Sequence, residues 1–452
     1  MVKYTKYIIT PRVVEADKVT KVSVSGLDKS CLFYDDTEYI VTVTASDNFT
    51  YPSPDRMGGG DRLNSEDILV MPKDGVISFE YKFTGEHMWY INVKRVENEK
   101  HFGGNRMRWA HIRNSALNSI LDFEMYSLYS DLYERKPFKG DFHVHSFGSD
   151  GKDSPELVAA QYREHGFDAL AITDHYVMEP SVEVVENYKD MDTGLKLIVG
   201  EEIHHTLGKA SYHVVNLNPR TSVNELIINK TDEVEAIVRD IAKTLDIADE
   251  CDRLEIAWHK WIYDEVKKAG GVCIFPHPYW EPGKAQNIKS SIAEAVYKLG
   301  LCDAIELMNG DKPQYSRAQV QLYYEMRADG YRYPIVSSTD NHNSLLDDDF
   351  FTKVWTIVYA KDADDIVNSI TEGYTACIDA LEGECANVYA EKVRLARYTW
   401  FLMRNYYKRH DLLSVPVGQA MTRYALGREG QKDLIELLQK EVKVYEKEFF
   451  GR

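Results

Sequence analysis

The stretch GDFHVHSFGSDGKDSPELV, residues 140–158, decides how the chain is read. His143 and His145 stand one residue apart at the end of a short apolar run, in a chain with only 14 histidines in 452 residues. Side chains alternate along a strand, so both imidazoles project to the same side. Asp150 follows, then a glycine, then Ser-Pro-Glu, a helix-opening signal. A strand that ends in paired imidazoles and gives way to a helix is one unit of an α/β fold.

The unit recurs. The apolar runs DALAITDH, KLIVGEE, YHVVNLN, GVCIFPHP, AIELMNG and YPIVSSTDNH alternate with helical stretches such as SIAEAVYKLG and SRAQVQLYYEMRADG. Strand then helix, about seven times over, implies a parallel sheet, closed or open. The polar residues at the strand ends are His143, His145 and Asp150, then Asp174 and His175, Glu201 and Glu202, His213, His277, and finally Asp340 and His342. In a barrel of parallel strands the loops converge at this end and build active sites. The i, i+2 pairs are compact chelates. Imidazole and carboxylate without thiolate suit Zn, Mn or Fe. So many donors exceed the needs of one four-coordinate ion and predict two or three ions with a bridging carboxylate.

Around this core, residues 1–110 read as a β-sandwich-like domain, because KVTKVSVSG, EYIVTVTASD, VISFEYKF and MWYINVKRV alternate apolar and polar residues. Residues 111–137 read as a helical connector, 138–384 as the barrel with an insertion at about 219–270, and 385–452 as a helical C-terminal extension. The glycine-rich MGGGDR, residues 57–62, lacks the Lys-Ser/Thr of a P-loop.

Together DFHVHSFGSDG, AITDH, GEEI, YHVV, FPHP and STDNH resemble the PHP (polymerase and histidinol phosphatase) superfamily of metal-dependent hydrolases, in order and in spacing. The resemblance spans about residues 138–380, with the helical tail weaker. The leading β domain and the HPYW wording are similar to the carbaryl-hydrolase-like group. The resemblance implies a distorted (β/α)7 barrel with a trinuclear centre. His143, His145 and Asp340 would hold one ion, His213 and His277 a second, and Asp150, His175 and His342 a third. Glu202 would bridge the first two, chosen over Glu201 by the family's Gly-x-Glu pattern. Such ions lower the pKa of a bound water, and the metal-bound hydroxide attacks phosphorus in line. The function expected is hydrolysis of a small phosphate ester. A carboxylic ester, carbamate or amide is the alternative bond for the same metals, and a non-catalytic ligand-binding protein is a further alternative.

Other residues have two readings each. Asp141 and Asp174 stand beside ligands and are either imidazole-orienting partners or, for Asp174, a cap or turn residue. Tyr279, Trp280, His204 and His205 either line a substrate pocket or serve packing and loops. Lys284 and Arg317 are either phosphate contacts or surface charge. His87, His101, His111, His165, His259 and His410 are read as structural.

A net charge of −18 disfavours nucleic acid or an anionic membrane as partner. No signal-peptide core or membrane span is read, and the six cysteines form no CxxC pair. A cytoplasmic enzyme with a small-molecule substrate is expected; oligomeric state is left open.

Overall fold

A computed structural model describes residues 6–48, 65–96, 121–207, 210–281, 286–310, 312–345, 353–381 and 386–452. MGGGDR, Lys284, His101 and His111 lie outside them. The chain forms two compact units: Met1–Glu134 with Trp400–Arg409 and Lys443–Arg452, and Arg135–Thr399 with His410–Val442.

The first unit contains strands β1 (Tyr7–Thr10), β2 (Val13–Glu15), β3 (Val19–Gly26), β4 (Tyr39–Ala45), β5 (Ser65–Val70), β6 (Ile77–Lys82), β7 (Met88–Arg95) and β8 (Leu121–Leu128), and a short helix α1 (Ser130–Tyr133). They form a three-stranded sheet, β1-β3-β6, and a five-stranded sheet, β2-β8-β7-β4-β5. Val22, Val24, Ile77 and Phe79 from the first share one core with Val41, Val43, Ile91 and Phe123 from the second. Alternate residues of each strand thus face inward, as a sandwich requires.

One expectation is corrected here. Residues 121–128, read as part of a helical connector, are strand β8. The segment LDFEMYSL carries Phe123 and Met125 into the core, and it is paired on both sides, antiparallel to β7 and parallel to β2. Two neighbouring strands outweigh a helical pattern. Residues 111–120 lie outside the described residues.

The second unit holds β9 (Lys136–Asp141), α2 (Pro155–Glu164), β10 (Ala169–Ile172), α3 (Glu179–Tyr188), β11 (Lys196–Leu207), β12 (Ala210–Leu217), α4 (Val223–Asn229), α5 (Thr231–Thr244), α6 (Glu250–Ala269), β13 (Val272–Phe275), α7 (Ser290–Leu299), β14 (Ala304–Asn309), α8 (Pro313–Ala328), β15 (Ile335–Ser338), β16 (Val354–Ala360), α9 (Ile366–Thr371), β17 (Thr375–Asp379) and β18 (Asn387–Ala390). Three further helices close the chain, α10 (Val393–Asn405), α11 (Tyr407–Ala425) and α12 (Gln431–Phe450). Ser154 caps α2 by accepting from the Leu157 amide at 3.3 Å, with Pro155 in the first turn. The insertion is the helical run α4–α6.

The ten strands form one sheet, β15-β14-β13-β12-β11-β10-β9-β16-β17-β18. It curls so that its β15 end closes back on β9, an inner strand. Beyond β9 and β15 the chain pairs across the seam: the Asp340 amide donates to the His143 carbonyl and the His145 amide to the Asn341 carbonyl, both at 2.9 Å. The sheet is not wholly parallel. β12 runs antiparallel to β11 and β13, and β16 antiparallel to β9. Only two residues separate β11 from β12, too few for a crossover, so the chain must reverse. The reversal brings the start of β12, with His213, to the same rim as the end of β11.

Candidate metal centre

The rim gathers all nine residues read as ligands, in overlapping groups. His143, His145, Glu202 and Asp340 form one; Glu202, His213 and His277 another; His145, Asp150, His175 and His342 a third. Glu202 is the hub. Its Oε2 lies 3.2 Å from His143 Nε2, His145 Nε2 and His175 Nδ1, and its Oε1 lies 2.8 Å from His213 Nδ1 and 3.3 Å from His277 Nε2. Asp340 Oδ1 is 3.3 Å from His143 Nε2 and 3.0 Å from His145 Nε2, and Asp150 Oδ1 is 3.2 Å from His342 Nε2.

Glu201 faces away. It accepts from Ser222 Oγ at 2.6 Å, the Val223 amide at 2.8 Å and Asn216 Nδ2 at 2.9 Å, and so anchors the start of α4. The alternation of one strand gives the two glutamates these different tasks. Two of the nine residues, Asp340 (φ 55°) and His277 (φ 20°), have left-handed backbones, a strain that functional sites retain.

The electrostatics favour added positive charge. Burial would raise Glu202, yet His143, His175 and His213 hold its carboxyl well below the usual carboxylate range. Burial would depress His145, yet the Asp340 and Glu202 carboxylates outweigh it and lift the imidazole to about 10. Burial wins at His175, which falls to about 4 and so is neutral, the form that ligates. His143 Nε2, His145 Nε2 and Glu202 Oε2 are buried and converge without a hydrogen bond of good geometry. Imidazole and carboxylate donors arranged in this way fit divalent metal ions.

The surrounding residues fix the donors. Glu306 Oε2 lies 2.8 Å from His143 Nδ1; a carboxylate only accepts, so Nδ1 carries a proton and Nε2, which faces Glu202 and Asp340, is the atom that would ligate a metal. Glu306 Oε1 also accepts from the His277 amide at 3.2 Å and Asn309 Nδ2 at 3.1 Å. Neither residue was singled out in the sequence, though a glutamate inside the apolar run AIELMNG is a signal. Asp141 holds backbone instead of an imidazole. It accepts from Thr339 Oγ1 at 2.6 Å, Tyr162 OH at 3.0 Å and the His143 amide at 3.3 Å, tying the ends of β9 and β15 together. Asp174 likewise holds the 146–149 turn, through the Ser146 amide at 2.8 Å and Ser149 Oγ at 2.6 Å.

A cavity of about 580 Å³ opens beside the cluster; Asp150, His175, His204, His213 and Trp280 are among its lining residues. His204 Nδ1 lies 3.3 Å from His175 Nδ1. Trp280 sits 5.7 Å from the rings of His213 and His277. Tyr279 instead packs on the barrel core, and the His205 ring lies tilted against Trp258 at 4.2 Å. Arg317 is exposed and does not line the cavity. His410 is structural, 3.1 Å from Asp168.

A barrel rim carrying several imidazole–carboxylate clusters defines a metal-binding α/β protein. The family model for the PHP domain matches residues 141–450, and the chain belongs to that family. Among solved structures, it is similar to a two-domain protein from Bacteroides vulgatus described as containing a predicted PHP-like metal-dependent phosphoesterase (21% identity, TM-score 0.39, 54% of this chain and 65% of that one). The chain therefore spans just under two thirds of that protein's length. It is also similar to a Bifidobacterium adolescentis protein described as a candidate metal-dependent phosphoesterase (18% identity, TM-score 0.33, covering 45% and 87%). A third is an amidohydrolase from Chromobacterium violaceum (16% identity, TM-score 0.32, covering 45% and 87%). No curated protein matches. Among the described residues no helix is long and apolar enough to cross a membrane.

Proposed function

We propose that the chain is a metal-dependent phosphoesterase acting on a small phosphate ester at a polynuclear centre. The observation that carries this reading is the set of overlapping clusters meeting at Glu202 beside a ligand-sized cavity. His143, His145 and Asp340 would hold one ion, His213 and His277 a second, with Glu202 between them, and Asp150, His175 and His342 a third. Zn, Mn and Fe all suit this donor set. Bound ions supply Lewis acidity, which acidifies a coordinated water and neutralises phosphoryl charge. The protein's own part is to fix the donors through Glu306, Asp141 and Asp174.

The cavity lining has no Lys or Arg among the described residues. A neutral carboxyl ester or carbamate fits the same described wall as a phosphate. A panel separates these readings: p-nitrophenyl phosphate, bis-p-nitrophenyl phosphate, p-nitrophenyl acetate and an aryl carbamate, on protein loaded separately with Mn and Zn. Turnover of a phosphate, abolished by His143→Ala, is the expected result. Turnover of the acetate or carbamate alone sinks the phosphoesterase reading and keeps the metals.

Glu306→Gln tests the support beneath the centre. An amide cannot accept from His143 Nδ1 and also satisfy the His277 amide and Asn309 as a carboxylate does. Metal affinity in chelator competition drops about 10- to 100-fold. Unchanged affinity reduces Glu306 to a packing role.

A further inference from the structure

We propose that the cavity beside the cluster takes a planar aromatic group, carried on the alcohol side of the substrate and held between Tyr176 and Trp280. This rests on the phosphoesterase reading and narrows it.

Asp150, His175 and His213 line the cavity together with Tyr176, His204 and Trp280. Donors for the scissile group and faces for the organic group therefore share one space. Tyr176 directly follows His175 and has a left-handed backbone, φ 63°. For a bulky residue this is a strained conformation, kept where the surroundings demand it. Its ring stacks on His204 at 4.7 Å and 22°, and Tyr176 remains 47% exposed. One wall is thus preset by a stack and still offers aromatic surface.

Trp280 is held both by its ring, 5.7 Å from the rings of His213 and His277, and by its backbone. Its amide donates to the His277 carbonyl at 3.0 Å, and its carbonyl accepts from the Asn287 amide at 2.8 Å. Rigid aromatic side chains bind planar groups at low entropic cost, and ring pairs gain more than the burial of area alone.

The test compares benzyl phosphate with cyclohexylmethyl phosphate. They have equal carbon counts and alcohols of similar basicity, so leaving-group chemistry contributes little. The native enzyme is expected to favour the benzyl ester about tenfold in kcat/KM, and both Tyr176→Leu and Trp280→Leu bring the ratio toward one. Calorimetry with the matching phosphonates on Mn-loaded protein should give the same preference in Kd. A native ratio near one, or a ratio that neither substitution moves, overturns the clamp. If neither phosphate turns over, the phosphoesterase reading fails by itself and the phosphonate ratio still decides the clamp. Equal affinities, or no binding of either phosphonate, reject it.

Discussion

Glu202→Gln abolishes measurable turnover, a loss of at least ~10³-fold or about 4 kcal/mol of transition-state stabilisation. Among the described residues no other side chain reaches as many of the proposed ligands: five imidazole nitrogens stand within 3.3 Å of its two oxygens. The amide removes the negative charge and offers an N–H₂ to imidazole nitrogens. Metal content by mass spectrometry falls in parallel, while far-UV circular dichroism keeps the native shape. Full metal content together with full activity would remove Glu202 from the centre.

Arg163→Ala destabilises the barrel unit by ~3–5 kcal/mol, read from urea unfolding. The guanidinium is fully buried. It donates to the Phe167 carbonyl at 2.9 Å, Asp168 Oδ1 at 3.1 Å and Gln439 Oε1 at 2.9 Å. Truncation leaves the buried Asp168 carboxylate with one cationic partner fewer. A loss under ~1 kcal/mol would mean that His410 and water replace it.

The same cluster gives a pH signature. Burial would depress His410, but Asp168 outweighs it and raises the imidazole from 6.5 to about 9. Its stabilising contribution is therefore complete below pH 6.5 and is lost as pH rises to about 9, a span worth about 3 kcal/mol. Asp168 acts at the other end: burial would raise it, but His410 and Arg163 hold it below 3.8, and its contribution fades as pH falls through that depressed value. His410→Gln should flatten the alkaline limb of stability between about pH 6.5 and 9. An unchanged limb excludes the pair as its cause.

The sequence makes the donors easy to read and their supports hard. His143 with His145, and Asp340 with His342, betray themselves because a two-residue spacing at a strand end has few uses besides chelation. Glu202 could be separated from Glu201 only by resemblance, since strand alternation cannot say which face is inward. Glu306 and Asn309 act through neighbours distant in sequence, so no local pattern exposes them. Segment 121–128 misleads because its aromatic and apolar residues suit a buried helix and a paired strand alike. The reversal of β12 hides in a two-residue connection. The backbone of Tyr176 has no sequence signal, because tyrosine does not advertise a positive φ.

The seam of the barrel has its own consequence. The hydrogen bonds from Asp340 to His143 and from His145 to Asn341 join the two chain segments that also carry donors of one proposed ion. Such an ion would act as a rivet: the sheet could not part there without releasing it. Metal supply would then set how often the barrel breathes open. The amides of residues 143–145 and 340–341 should exchange hydrogen more slowly as free metal rises, by a factor that grows with its ratio to Kd, while amides of the sandwich core keep their own rate.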